Sequence, residues 1–274
     1  MIYLLNSTFS KILAFTLIVI LMFLVVSDKL FGFIKISLYP ILKNIEKYRI
    51  LSSVKEYKKL ETKHFTIRYN DGNFETAKLT GEIAEKYYDE VCSMFDYHTT
   101  EKSDIIIYND GKKLMENTRI NKDIPPLGVY YGGVINILSP EHWIKDKENF
   151  AIIYEKKGPV VHEFAHLIVD KITNGNYPMW LTEGIALYTE YKLTGFEWRR
   201  DLKNSRDITI EQLNNNFYSI NQSKAYRKSF VIVNKISKNW GFDKITLLLD
   251  VLGEGNNIRH SAKAVLKVNL YDID

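Results

Sequence analysis

Two histidines four positions apart, His162 and His166, form the part of this sequence with the clearest chemical meaning. On a helix, residues at that spacing project from one face, because about 3.6 residues make a turn, so both imidazoles can bind one ion from the same side. Glu163 would lie beside such an ion without binding it, where a carboxylate can take a proton from water. The pattern therefore predicts half of a zinc site with a base next to it.

The segment that carries these residues must be helical for that chemistry to work, and its composition favours a helix. Gly158 and Pro159 come just before it, and a proline in the first turn is a common helix start. Apolar residues give the predicted helix a buried back, while the histidines and the glutamate lie on a narrower polar face. The apolar residues are Val160, Val161, Phe164, Ala165, Leu167, Ile168 and Val169.

A catalytic zinc ion usually has three protein ligands and one open position, so the site needs a third ligand. A metzincin would place glycine at position 169 and histidine at position 172, but this sequence has Val169 and Ile172 there. A gluzincin takes its third ligand from a glutamate on a following helix. Glu183 lies on such a predicted helix, after a turn at residues 174–178, and it fits this third position.

With these residues the chain resembles the peptidase MA-like gluzincins, zinc metallopeptidases with many bacterial members that are predicted to lie outside the cytoplasmic membrane. The resemblance depends on the His-Glu-x-x-His motif, on the Trp-Leu-x-Glu-Gly-x-Ala pattern at 180–186, and on the Tyr-x-x-Ser-Phe-Val pattern at 226–231. It covers roughly residues 61–270. It implies an α+β, zincin-like fold, with a small mixed sheet, an active-site helix beneath it and a mainly helical C-terminal part.

The same resemblance implies a role for each residue of the motif. His162, His166 and Glu183 would bind one Zn²⁺ ion, and Glu163 would be the general base of peptide hydrolysis. Zinc would polarise the scissile carbonyl, while Glu163 takes a proton from water and passes it to the leaving amine. The expected function is that of a zinc-dependent endopeptidase with a peptide or protein substrate.

The oxyanion formed during such a reaction needs a hydrogen-bond donor besides zinc, and a tyrosine hydroxyl can serve. We predict Tyr226 for this role, with Tyr188 and Tyr191 as rivals and a purely structural role for Tyr226 as the alternative. One position departs from the thermolysin pattern, because Leu187 stands where an aspartate four residues after the glutamate ligand would orient a histidine. Asp170 and Glu190 are the candidates for that task.

The elements around the motif are predicted from hydrophobic periodicity and turn residues. Strands are expected at 64–69, 104–108 and 127–138. Helices are expected at 74–95, 112–118, 147–156, 209–214, 223–240, 243–252 and 258–267. Strands come first and helices afterwards, which is typical of an α+β domain with a small sheet on a helical body. Gly132 and Gly133 interrupt the last strand, which predicts a turn or a bulge at these positions. The alternative is that the glycine-broken strand at 128–138 is an edge that pairs with an extended peptide.

Residues 12–26 form an apolar run without a charge, a glycine or a proline. A run near the length that a bilayer requires predicts a membrane helix that anchors a single-pass protein in the cell membrane. A cleaved signal peptide, which leads to secretion, and a buried core helix are the alternatives. The predicted division is an anchor or signal at 1–29, a juxtamembrane linker at 30–60 and a metallopeptidase domain at 61–274.

Two signals disagree about the side of the membrane on which the body lies. The resemblance implies an extracytoplasmic catalytic domain, which is our prediction. More basic residues follow the apolar run than precede it, so the positive-inside rule alone would keep the body in the cytoplasm. Lys11 precedes the run. The basic residues that follow it are Lys29, Lys35, Lys43, Lys47 and Arg49.

The composition narrows the class of protein. Hydrophobic residues at 46% and charged residues at 26% are typical of a globular chain. The net charge of +4 is modest and the charges are interspersed, which argues against a nucleic-acid partner. A single cysteine, Cys92, allows neither an intrachain disulfide nor a cysteine-based metal cluster. The oligomeric state is not predicted.

Two other functions compete with that of an enzyme. One is a catalytically idle, zinc-binding, membrane-anchored interaction protein, and the presence of Glu163 favours the enzyme over it. The other is a structural membrane protein in which the histidine pair is a coincidence. The remaining histidines have no partner at ligand spacing and are expected at the surface or in hydrogen-bonded core positions. They are His64, His98, His142 and His260.

Overall fold

A computed structural model gives the fold and describes residues 2–202 and 207–273. The strands are β1 (Lys58–Glu61), β2 (Phe65–Tyr69), β3 (Ser103–Tyr108), β4 (Gly128–Tyr131) and β5 (Val134–Leu138). The helices are α1 (Ile2–Ser53), α2 (Phe74–Met94), α3 (Gly111–Thr118), α4 (Phe150–Lys157), α5 (Val160–Thr173), α6 (Met179–Thr194), α7 (Ile210–Asn216), α8 (Gln222–Trp240), α9 (Phe242–Gly253) and α10 (Ile258–Leu266). The predicted α+β class, with a small sheet followed by a mainly helical part, is confirmed.

The sheet is mixed and has the strand order β1-β2-β3-β5-β4. Its inner strands β2, β3 and β5 are parallel, whereas β1 and β4 pair antiparallel at the two edges. At its centre Ile105 of β3 stands opposite Ile67 on one side and Ile135 on the other, and all three side chains are fully buried. Strands made of consecutive apolar residues suit a parallel sheet that is covered on both faces.

The predicted strand at 127–138 is a hairpin of β4 and β5, and Gly132 and Gly133 form its turn. Both glycines have positive φ values, +59° and +78°, which two-residue hairpin turns require and which side chains disfavour. Of the two interpretations of the glycine pair, the turn is therefore correct for these positions. The edge of the sheet is the strand just before them, β4.

The two faces of the sheet belong to different layers. Alternate residues of β3 show this, because Ile105 and Ile107 join the larger core with α2 and α5, while Ile106 and Tyr108 join a smaller core. The smaller core also contains residues from the end of α1 and from α3. Helix α5 packs directly against β4 and β5, so the histidine motif lies under the edge of the sheet that β4 forms.

Residues 30–60, predicted to form a linker, have regular structure that packs on the body. Helix α1 continues to Ser53, and Ile50 and Val54 are almost completely buried against the sheet. Two lysines of this stretch pair with acids of the body, Lys43 with Asp170 and Lys47 with Asp104. These two lysines therefore have partners distant in sequence. The linker at 30–60, as part of the predicted division into domains, stays a prediction.

Over the residues that the structure describes, no helix has both the length and the apolar composition needed to cross a membrane. Most of the run at 12–26, for which an anchor is predicted, lies outside the residues whose side chains are described. The anchor and the division of the chain into domains stay predictions.

Candidate metal centre

The two helices that carry the motif meet in the core. Helix α5 ends at Thr173 and is followed by Asn174, which has the left-handed backbone conformation of a helix C-cap, and Pro178 precedes α6. Helix α6 packs against both α5 and α8, and its residues Trp180 and Leu181 are completely buried. Because α6 is enclosed on both sides, Glu183 lies inside the protein and not on its surface.

His162, His166 and Glu183 come together where α5 and α6 meet. The two histidine Nε2 atoms are 3.2 Å apart, and Glu183 Oε2 lies 3.5 Å from each of them. Two tetrahedral ligands at about 2.0–2.1 Å from one zinc ion stand roughly 3.4 Å apart, so the observed separations match. Among the described residues, this group is the one set of three or more potential ligands that could hold a metal ion.

Glu183 supplies a second indication that the group suits a cation. Its Oε2 atom is buried and has no hydrogen-bond partner, although buried carboxylate oxygens are normally paired. Its other oxygen, Oε1, accepts a hydrogen bond of 2.9 Å from the hydroxyl of Tyr226. A positive ion between Oε2 and the two imidazoles would satisfy the remaining oxygen.

The charges in the group act strongly on one another. Burial works to lower the pKa of His162, but the carboxylates of Glu183 and Glu190 outweigh it and hold that pKa well above its usual range. Burial likewise works to raise the pKa of Glu183, but the rings of His166 and His162 outweigh it and hold that pKa well below its usual range. The group therefore favours a positive charge at its centre, either a proton or a metal ion.

Glu163 lies next to this group and under the edge strand. Its Oε2 accepts a 2.6 Å hydrogen bond from the backbone N–H of Tyr130 in β4. Strand β4 can approach so closely because residue 128 is glycine, where a Cβ atom would lie 2.9 Å from both Cγ and Oε1 of Glu163. Burial raises the pKa of Glu163, so this carboxyl holds a proton more readily than an exposed glutamate does.

The second nitrogen of each histidine also has a neighbour. Nδ1 of His166 is 2.6 Å from the hydroxyl of Thr182, and Nδ1 of His162 is 3.7 Å from Oε2 of the buried Glu190. Of the two carboxylates predicted as candidates for orienting a histidine, the structure places Glu190 at this position. Thr182 was missed, and its only signal in the sequence is its position directly before the candidate ligand Glu183.

The side chain of Asp170 forms no hydrogen bond or ion pair with the side chain of either histidine and instead pairs with Tyr39, Lys43 and Tyr130. Leu187, at the position where the thermolysin pattern has aspartate, is buried in the main hydrophobic core. The residue at that position of α6 therefore packs in the core and does not orient a histidine. The carboxylate near His162 comes from one turn further along the same helix.

The three tyrosines considered as oxyanion donors lie in different places. The hydroxyl of Tyr226 contacts the group through Glu183. Tyr188 instead pairs with Ser237 at 2.7 Å, and the ring of Tyr191 packs edge-on against an aromatic ring of α8. Of these three tyrosines, Tyr226 is the one that the structure brings to the candidate ligands.

A family model described as the peptidase MA superfamily matches residues 103–274, which is more than half of the chain. The matched region runs from β3 to the C-terminus and contains the three candidate ligands, Glu163 and Tyr226. A search of curated proteins found no match.

Proposed function

Because this chain belongs to the peptidase MA superfamily, we propose that it is a zinc-dependent metallopeptidase that hydrolyses peptide bonds with Glu163 as general base. The observation that carries the proposal is the convergence of His162, His166 and Glu183 within 4.8 Å of one another, with Glu163 beside them. Two imidazoles and one carboxylate are the ligand set of many catalytic zinc sites. When bound, the ion supplies a Lewis acid that polarises the scissile carbonyl.

Glu163 is held in a way that suits a base. The amide of Tyr130 fixes one carboxylate oxygen, Oε2, and this contact orients the whole group. The other oxygen can then take a proton from the attacking water and deliver it to the leaving amine. Burial raises the pKa of Glu163 above the ordinary value for glutamate, which suits a residue that first accepts a proton and then releases it.

Tyr226 is placed to donate a hydrogen bond to the developing oxyanion. Burial, together with the neighbouring Glu183 carboxylate, raises the pKa of the Tyr226 hydroxyl, so it stays protonated across the physiological range. In the structure it donates to Glu183 Oε1 at 2.9 Å. During the reaction the same hydroxyl would turn to the oxyanion, where one well-placed donor is worth about 10²–10³ in rate.

Strand β4 is the proposed docking place for the substrate backbone. It is one of the two antiparallel edge strands of the sheet, and the backbone of its residue Tyr130 contacts the proposed base. An extended peptide that pairs with this edge would have its carbonyl groups near Glu163, which contacts the same strand. A peptide or protein substrate is therefore expected to bind in extended form.

A comparison of the wild type with Glu163→Gln tests the proposal. We expect both proteins to bind one zinc ion per chain, since Glu163 is not a ligand, and we expect only the wild type to cleave a broad peptide library. Glu148→Gln, which changes an exposed glutamate, serves as the matched control and should cleave like the wild type. Full cleavage by Glu163→Gln would exclude Glu163 as the base. A wild type that binds zinc but cleaves nothing would favour the idle interaction protein.

We also propose that the apolar run at 12–26 anchors the protein in the cell membrane with its body outside the cytoplasm. This proposal is based on the composition of that run and on the location of similar peptidases. Protease added to intact cells should digest the body if it is extracytoplasmic. Digestion only after the cells are opened would place it in the cytoplasm instead.

A further inference from the structure

Asp170 lies on the same face of α5 as the two histidines, one turn beyond His166. Its side chain is completely buried. Three hydrogen bonds reach its two oxygens. Tyr39 donates its hydroxyl to Oδ1, Lys43 donates to Oδ2 at 2.8 Å, and the hydroxyl of Tyr130 donates to Oδ2 at 2.7 Å. The motif does not require this residue, yet it is among the most completely paired acids of the structure.

The three donors come from two elements other than α5. Tyr39 and Lys43 belong to α1, and Tyr130 belongs to the edge strand β4. A third residue of α1, Lys35, donates to Asn176 in the turn between α5 and α6 at 3.3 Å. The buried carboxylate of Asp170 therefore links α1, α5 and β4 at one point. Asp170 and its three donors, Tyr39, Lys43 and Tyr130, form a joint between these elements.

Tyr130 connects this joint to the proposed base. Its hydroxyl binds Asp170, while its backbone N–H binds Oε2 of Glu163 at 2.6 Å. A shift of Tyr130 away from α5 would therefore alter both contacts. The strand that holds the base in place is itself held by Asp170.

The joint keeps its hydrogen bonds over a wide pH range. Burial first, and then the negative charge of Asp170, raises the pKa of both Tyr39 and Tyr130. Both hydroxyls therefore stay protonated as donors. The ammonium of Lys43, with a side chain only 11% exposed, balances the buried carboxylate.

We propose that Asp170 is a positioning residue, which fixes the edge strand β4 and the docked helix α1 against α5 so that Tyr130 holds Glu163. The catalytic part of this inference rests on the proposed peptidase function, whereas the positioning part does not. If a substrate pairs with β4, loosening the joint should raise KM as well as lower kcat, because substrate docking and the base both depend on that strand.

Tyr130→Phe and Tyr39→Phe test the proposal, because each removes one hydroxyl from Asp170 and leaves the ring and the backbone in place. Tyr131→Phe is the matched control. Tyr131 lies on the same strand, and its hydroxyl faces Glu46 of α1 at 3.4 Å instead of Asp170. All variants are made in the full-length protein, and zinc content and cooperative unfolding show that each one folds.

Hydrogen exchange at the amide of residue 130 measures the positioning directly and needs no catalysis. We expect Tyr130→Phe and Tyr39→Phe to exchange this amide about tenfold faster than the wild type, and Tyr131→Phe to stay within about twofold. Unchanged exchange in both test variants would overturn the proposal. Faster exchange supports it even if the wild type cleaves no peptide, so failure of the proposed function is a separate result.

In the cleavage assay, we expect Tyr130→Phe to lower kcat/KM by about tenfold or more, with both a higher KM and a lower kcat and with zinc content unchanged. A residue that only stabilised the fold would lower the unfolding temperature and leave both kinetic constants of the folded enzyme unchanged. That outcome would also overturn the proposal.

Discussion

The polar face of α5 has a buried carboxylate at each of its two ends, and the two carboxylates differ in their hydrogen-bond partners. At one end, Glu183 reaches from α6 to His162 and His166, and its Oε2 atom has no hydrogen-bond partner. At the other end, Asp170 has a hydrogen-bond donor on each of its oxygens and a lysine to balance its charge. A buried carboxylate oxygen without a hydrogen-bond donor favours a nearby cation, whereas a carboxylate with donors on both oxygens stabilises the packing of the elements around it.

Removing the charge of Glu183 should have the largest effect on the site. We predict that Glu183→Gln lowers zinc affinity by at least about 100-fold and reduces peptide cleavage to background, because the amide is a poor ligand for zinc. Competition with a chelator of known affinity measures the first effect. If Glu183→Gln kept zinc at the affinity of the wild type, Glu183 would not be a ligand.

Removing the charge of Asp170 should change stability instead. We predict that Asp170→Asn lowers the free energy of unfolding by about 3 kcal/mol, because the buried ammonium of Lys43 loses its partner. Zinc content should stay at one ion per chain at low temperature. Urea unfolding measures the stability. Loss of zinc without loss of stability would show that the two ends of α5 have the opposite roles.

Zinc itself should stabilise the protein through the first end only. At a free concentration about 1,000 times Kd, zinc should add about 4 kcal/mol to the stability of the wild type and raise its Tm. The same zinc concentration should add at most about 1.4 kcal/mol to Glu183→Gln, because an affinity at least 100-fold weaker puts it at no more than about ten times the variant's own Kd. Asp170→Asn should gain as much stability as the wild type. Thermal unfolding with and without a chelator provides the comparison, and equal gains in wild type and Glu183→Gln would argue for a zinc site elsewhere.

The two ends should also respond differently to pH. At the histidine end, the pKa of His162 is held well above its usual range, so a proton competes with the metal and zinc affinity should rise as pH rises. At the Asp170 end, the raised pKa values of Tyr39 and Tyr130 give stability that is complete below the ordinary tyrosine pKa and is lost only as pH rises above it.

Zinc titrations at pH 6, 7 and 8, together with unfolding of the chelated protein at the same pH values, check this difference. We expect a several-fold rise in affinity per pH unit. The hydrogen exchange of the Tyr130 amide, corrected for its intrinsic pH dependence, should stay nearly constant. Zinc affinity that does not change with pH would contradict the proton competition.

The first end of α5 was largely predictable from the sequence. The spacing of His162 and His166 follows from helical geometry, and the apolar residues around them predicted a buried back for α5. Glu183 was identified because its surrounding pattern resembles a known family. The supporting residues were harder to predict, since α6 is apolar or buried around its whole circumference and gives no polar face from which to single out Thr182 or Glu190.

The second end could not be predicted. The partners of Asp170 in α1 lie 127 and 131 positions away in sequence, and no periodic pattern connects residues so distant. Lysines that pair with buried acids look the same in sequence as lysines at a membrane surface, which is why residues 30–60 were expected to be a linker. The glycine pair at 132–133 allowed both a turn and a bulge, because both use positive φ angles.

The most direct test of the central claim is the reconstitution of the metal-free wild type with measured amounts of zinc. If His162, His166 and Glu183 form the catalytic centre, peptide cleavage should rise linearly with added zinc and reach its maximum at one ion per chain. Cleavage that persists without metal, at the rate of the reconstituted protein, would contradict the claim.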